Sequence, residues 1–204
     1  MKTCARSVFA GAIIYSLALL GLSPSAVAQS LDPVSGYANL GYSDIQAAKI
    51  TNGAVTARIG ARLWSYFGIE GEASLGVNDD RFLYSVPCPP DQPLCPPAIF
   101  QITSKLRDAE AIYAVGYLPI TPNLDLFIRG GYGGAHYSAH SDPTNGFSEQ
   151  SLNYGLGGDY FFFDSNGVRL DYTRFDRLEE YNSFAREALG NNANVWSAAY
   201  VLRF

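Results

Sequence analysis

The stretch GGAHYSAHS carries His136 and Ser138 two residues apart, and Glu149 follows shortly after. Serine, imidazole and carboxylate are the parts of an acyl-transfer nucleophile, in which the imidazole takes the hydroxyl proton and the acid orients the imidazole. A spacing of two places His136 and Ser138 on one face of a strand. The plainer reading is that His136 and His140 are polar residues where a strand emerges into a loop. A second group, in VPCPPDQPLCPP, is Cys88 and Cys95. An exported chain meets an oxidising compartment, so this pair predicts a disulfide, whose short loop would contribute roughly 2–3 kcal/mol. Metal binding is the weaker reading there, since no His or further Cys lies nearby. The third group is a nearly balanced set of charges: Arg58, Arg62, Arg129, Arg169 and Arg203 against Glu70, Glu72, Glu110, Asp159 and Asp171. Such a set can neutralise itself in a confined space, where an unpaired charge is very costly. No phosphate loop, metal-ligand cluster or nucleotide fingerprint is present, and no cofactor is assigned.

These residues sit on a recurring pattern of period two. GAVTARIGARLW sets Val55, Ala57, Ile59, Ala61 and Leu63 against Thr56, Arg58, Gly60 and Arg62. FGIEGEASLGV sets Phe67, Ile69, Ala73 and Leu75 against Glu70, Glu72 and Ser74. DAEAIYAVGYL reads as Ala109, Ala111, Tyr113, Val115 and Tyr117 on the apolar face, with Glu110, Ile112, Ala114 and Gly116 on the other. SGYANLGYS, LDLFIRGGYGG, SLNYGLGGDYFF, GVRLDYTR and the closing NVWSAAYVLRF follow the same rule, which makes eight strands. Period two over this many residues is a strand signal. The connections alternate. Ser65-Tyr66, Pro119–Asn123 and Phe163–Gly167 are short, while Asp44–Asn52, Asn78–Ser104, Ser138–Gln150 and Phe175–Asn191 are longer. That rotation predicts an all-β, antiparallel, up-and-down barrel of eight strands.

The amino terminus sets the compartment. Lys2 and Arg6 precede an apolar stretch from Val8 to Leu22, and Ala26-Val27-Ala28 follows. This is the pattern of a secretory signal peptide. It predicts cleavage after Ala28, with residues 1–28 removed and residues 29–204 forming one barrel domain. Without Lys2 and Arg6 the 14 basic residues fall to 12 against 19 acidic ones, a net charge of −7. Nucleic acid is not a partner for such a surface. No later apolar run approaches the ~18 residues of a membrane helix, so any membrane crossing must use strands.

Alternation alone does not say which face meets lipid. Three features turn the apolar face outward. Glycines gather on the charged face (Gly41, Gly60, Gly76, Gly116, Gly131, Gly133, Gly155 and Gly157), where a narrow eight-stranded lumen needs room for long side chains. Arginine dominates that face, since only Lys49 and Lys105 follow the leader, and its planar fork joins several carboxylates in tight quarters. Aromatics mark both ends of the apolar face: Tyr42, Tyr132, Tyr154, Tyr172 and Trp196 toward the long loops, Phe67, Tyr117, Tyr160, Phe162 and Phe204 toward the short turns. Two aromatic girdles belong to a membrane barrel.

The closing residues Trp196, Tyr200, Leu202 and Phe204, alternate and aromatic-ended, resemble the C-terminal assembly signal of bacterial outer-membrane proteins. With LFIRGGYG and LNYGLGGDYFFFDSNGVRLDYTRFD, the chain after its leader resembles the small OmpA-type or "porin family" eight-stranded transmembrane β-barrels. The resemblance implies location in the bacterial outer membrane, contact with lipid and lipopolysaccharide, and handling by the barrel-assembly machinery. It also implies extracellular loops as the functional surface, open to a host or surface ligand. The leading expectation is a structural or surface-interaction barrel with a salt-bridged lumen and no catalysis. A narrow pore is one alternative, disfavoured because eight strands leave little bore. The other is an enzyme: His136 and Ser138 resemble the catalytic pair of outer-membrane lipid A deacylases, with Glu149 as third member. Ala139 stands where that family has Asn, and several strands follow the motif here.

Overall fold

The computed structural model describes residues 34–86, 98–139, 146–178 and 190–204. The leader, Cys88 and Cys95 lie outside the described residues. The elements among them are strands: β1 Ser35–Gln46, β2 Thr51–Leu63, β3 Phe67–Gly76, β4 Asp79–Val86 and β5 Ala98–Thr121. They continue with β6 Leu124–Ala139, β7 Gly146–Phe163, β8 Asn166–Arg177 and β9 Asn192–Arg203. Neighbours pair antiparallel in the order β3-β2-β1-β9-β8-β7-β6-β5, and β3 pairs with β5 to close the ring. The closed barrel therefore has eight strands, and β4 is an extension that pairs only with the upper half of β5.

Closure leaves no open edge in the ring, which satisfies the backbone where water is absent. First and last strands meet from Tyr37↔Arg203 to Gln46↔Asn194. Beyond them Phe204 and Gly36 exchange two backbone hydrogen bonds of 2.8 Å each.

The two faces separate as their chemistry requires. Leu40, Ile59, Ile69, Ile128, Leu156, Leu170 and Trp196 point outward and are exposed, forming an apolar belt around the ring. Inside, Arg58, Glu70, Arg129, Asp159, Arg169 and Asp171 are buried. Polar-in and apolar-out is the inversion that lipid imposes on a barrel wall. Glycine makes the interior possible. A Cβ on Gly131 would run into the Ile112 carbonyl oxygen and the Tyr113 ring, and one on Gly155 into the Tyr172 carbonyl and the Thr173 hydroxyl.

One strand departs from the expected facing. On β5 the residues Tyr113, Val115 and Tyr117 are buried in the lumen, while Ile112 and Leu118 are exposed. Both faces of this strand are apolar, so hydropathy could not choose between them. The register does: Ile112 lies opposite Tyr132 and Ala114 opposite Gly130, on the outward side. Consequently Glu110 and Gly116 face out, and Tyr117 is a lumen residue and not part of the outer girdle.

The described residues of the long connection Asn78–Ser104 also take up regular structure. β4 and the upper part of β5 form a two-stranded ribbon from Asp79↔Lys105 to Val86↔Ala98. It rises above the point where β6 ends opposite Ser104.

Candidate functional site

The lumen holds its charges in one connected cluster at mid-height. Arg129, from β6, donates to Glu70 at 2.9 Å, to Glu72 at 3.0 Å and to Asp171 at 2.7 Å. Its Nη2 also donates to the Thr173 hydroxyl at 2.6 Å. Arg58, from β2, donates to Glu72 at 2.6 Å, to Asp171 at 3.1 Å and to the Ser197 hydroxyl at 3.1 Å. Arg169, from β8, grips both oxygens of Asp159 at 2.6 and 2.8 Å and also pairs with Glu70. Tyr37 donates to the second oxygen of Glu70 at 2.8 Å. Forks of this kind match planar carboxylates two bonds at a time. Aromatic faces complete the surroundings: Arg129 lies 4.5 Å over Tyr113 and Arg169 4.4 Å over Phe127.

Apolar layers stand above and below the cluster. Ile45, Ile50, Ala54, Phe82, Leu106 and Val195 pack together at the loop end. Tyr37, Tyr117, Phe127, Phe161 and Val201 pack at the turn end. Phe82 comes from the ribbon, which therefore folds part of itself over the lumen mouth.

Most of the charges read from the sequence meet here: Arg58, Glu70, Glu72, Arg129, Asp159, Arg169 and Asp171. Arg62 faces inward at the turn end, where it pairs with Asp125 at 2.7 Å and stacks 4.4 Å over Tyr117. Asp125 shares the inward parity of Arg129, four residues on, and that was the signal available to find it. Two further members also fall outside the network. Arg203 donates to the Asp164 backbone carbonyl at 2.8 Å and lies 4.2 Å over Phe161, so it caps a turn. Glu110 is exposed on the outer wall, because β5 presents its other face to the lumen.

His136 and Ser138 occupy outward positions of β6, as their spacing required. Glu149 does not join them. It lies on the inward face of β7 at 9% exposure, and its Oε2 pairs with Arg177 at 2.6 Å. His136 Nδ1 instead meets Asp108 at 2.7 Å. The sheet wall thus separates the expected acid from the expected base. Glu149 sits five residues beyond the girdle residue Tyr154, outside the spanning part of the strand. Burial pushes its carboxyl up to about 7 against the opposing pull of Arg177. Arg177 also donates to the Gly190 carbonyl, tying the start and end of the last long loop together.

The ribbon is fixed at its root. Asp80 accepts from the Thr51 amide at 2.6 Å, and Val77 donates to the Gly53 carbonyl at 2.9 Å. Asp79 and Lys105 form a half-exposed ion pair at 3.6 Å. Farther out, Leu83 and Ile99 are 63% and 64% exposed. Among the described residues, no group of three His, Cys, Asp or Glu side chains is arranged to hold a metal ion.

The family model described as "Outer membrane protein beta-barrel domain" matches residues 14–204. Among solved structures, the N-terminal β-barrel domain of Pseudomonas aeruginosa OprF superposes with a TM-score of 0.57 at 11% identity, covering 86% of this chain and 100% of that one. Neisserial surface protein A gives 0.53 at 11% identity over 86% and 100% of the two chains. Ail, the attachment invasion locus protein of Yersinia pestis, solved with the heparin analogue sucrose octasulfate, gives 0.50 at 14% identity over 84% and 99%. At these identities the likeness is one of fold. No curated protein matches the chain by sequence.

Proposed function

The chain belongs to the outer membrane protein β-barrel family, and on that premise we propose that it is a non-catalytic surface-interaction barrel of the bacterial outer membrane. The observation that carries this reading is the filled lumen: an ion-paired cluster stands between two apolar layers. Among the described residues, a lumen so packed leaves little bore for solute. What remains for function is the rim at the long-loop end, where the ribbon extends past the end of β6. A two-stranded ribbon braced by Asp80 and Phe82 holds its shape before any partner arrives, so little ordering entropy is lost on binding.

The leader ends at Ala28 and is removed on export. Cys88 and Cys95, in the segment that joins β4 to β5 in sequence, form a disulfide on this reading. The closing strand, with Trp196, Tyr200, Leu202 and Phe204, serves as the signal read by the barrel-assembly machinery. A lipid A deacylase role is not favoured, because Glu149 and His136 lie on opposite faces of the wall.

An epitope inserted between Cys95 and Ala98 tests the surface reading. Antibody should stain intact cells as strongly as permeabilised ones. Staining that needs permeabilisation would place the ribbon on the wrong side of the membrane and remove the proposal.

A further inference from the structure

We propose that the outer wall of β5 and β6 holds one molecule of a phosphorylated glycolipid from the outer leaflet, with an acyl chain over Ala114, Gly116 and Gly130 and the headgroup on Arg107 and Glu110. The proposal rests on the orientation adopted above, with the ribbon end facing out of the cell.

The apolar part is a shallow groove. In register across the two strands lie Gly116 and Ile128, Ala114 and Gly130, Ile112 and Tyr132, then Glu110 and Gly134. A Cβ on Gly130 would meet nothing within 4 Å, and one on Gly134 would meet only the Glu149 carbonyl oxygen at 3.3 Å. A Cβ on Gly116 would touch only the Ile128 side chain, at 3.4 Å. These glycines are therefore not required by close packing, unlike those of the lumen. Glycine weakens a strand and offers no apolar contact of its own. Gathered on a lipid-facing patch, it leaves a trough one side chain deep, walled by Ile112, Ile128, Tyr132 and Tyr154. Two adjacent strands span about 5 Å, a width that suits an extended hydrocarbon chain.

The polar part lies at the upper end of the same trough, and the backbone is shaped to produce it. The pairing of β5 with β6 jumps from Leu106↔Tyr137 to Asp108↔His136, which leaves Arg107 in a bulge. Leu106 is fully buried, Arg107 is exposed and Asp108 is half-buried, so the two residues after Leu106 both turn to the outer wall. Re-aiming a side chain is a characteristic use of a bulge. Asp108 is then occupied by His136 at 2.7 Å. Among the described residues, neither Arg107 nor Glu110 has an ion pair or hydrogen bond to a side chain. Both stand beyond Tyr132, where the girdle marks the membrane surface: Glu110 two residues and Arg107 five residues past Ile112, the partner of Tyr132.

Charge complementarity selects the occupant. Arg107 calls for a phosphate. Glu110, in a layer rich in phosphate, calls for neutral or cationic hydrogen-bond donors. The two residues are three apart on a strand, roughly 10 Å at 3.3–3.4 Å per residue. A phosphorylated amino-sugar headgroup offers both partners over that span: phosphate to the guanidinium, hydroxyl and amide N–H groups to the carboxylate. A simple anionic phospholipid supplies the first and leaves Glu110 unmatched.

Native mass spectrometry of the full barrel released from detergent tests this directly. The probes are bisphosphorylated lipid A, phosphatidylglycerol and phosphatidylethanolamine. One lipid A should be retained per protein, at least tenfold better than either phospholipid. Arg107→Gln and Gly130→Leu should each reduce that retention fivefold or more, and Lys49→Gln should not. Equal retention by all variants, or phosphatidylglycerol bound as well as lipid A, overturns the site. Heat-modifiable gel migration of each sample separates this outcome from a failure of the barrel reading: a barrel that stays closed but ignores lipid A condemns only the glycolipid proposal.

Discussion

At the scale of single residues, Glu70 is the keystone of the lumen. It receives Tyr37, Arg129 and Arg169, and it is 1% exposed. Removing it takes one carboxylate from each of two buried guanidinium groups and leaves their freed N–H donors and the Tyr37 hydroxyl without a partner, whereas replacing whole ion pairs by apolar side chains is often harmless. Glu70→Ala should therefore lower stability by about 3–5 kcal/mol. Glu70→Gln should cost less, because an acceptor remains for Tyr37. Urea unfolding of the barrel refolded in lipid vesicles reads both. Unchanged midpoints would show that the cluster is ornamental.

Among the strands, the seam between β1 and β9 holds the ring closed. Tyr37–Gln46 of β1 relies on β9, and Gly36 and Phe204 finish the ladder. Deleting Val201–Phe204 should abolish the heat-modifiable form. Phe204→Ala should spare refolding in vitro yet lower the yield of assembled barrel in cells several-fold, since it removes the terminal ring and keeps the backbone. Equal cellular yield for Phe204→Ala would deny the terminal ring any part in assembly.

Strand facing was legible wherever the two faces differed in polarity. Arg58 and Arg62 against Val55 and Ile59, or Arg169 and Asp171 against Val168 and Leu170, left only one way to turn. β5 carries Tyr113, Val115 and Tyr117 on one face and Ile112, Ala114 and Leu118 on the other, so its facing depended on cross-strand partners that a single sequence does not reveal. The bulge at Arg107 was invisible for the same reason. Of the lumen cluster, the buried arginines and their carboxylates could be read from parity. The ribbon could not, because Asn78–Ser104 is rich in proline and looks like a loop until Asp79 and Lys105 are seen paired.

At the scale of the whole barrel, the described residues fill the lumen in layers. Phe82 and Ile50 lie above the charges, Tyr117 and Phe161 below them. Eight strands leave an interior that side chains just fill. Planar bilayers containing the purified protein should show no steady current above that of bare lipid. Large, stable steps that vanish when the barrel unfolds would contradict the packing.

Those two apolar layers carry a consequence for ionic strength. Counter-ions weaken a charge pair only where they can approach it, over a distance of about 8 Å in physiological saline. The exposed partners Lys105 and Asp79 stand in that electrolyte. Arg58, Arg129 and Arg169 with their carboxylates are shut away from it. Brine and dilute buffer are therefore the same medium to the heart of this molecule, and only its rim registers the difference.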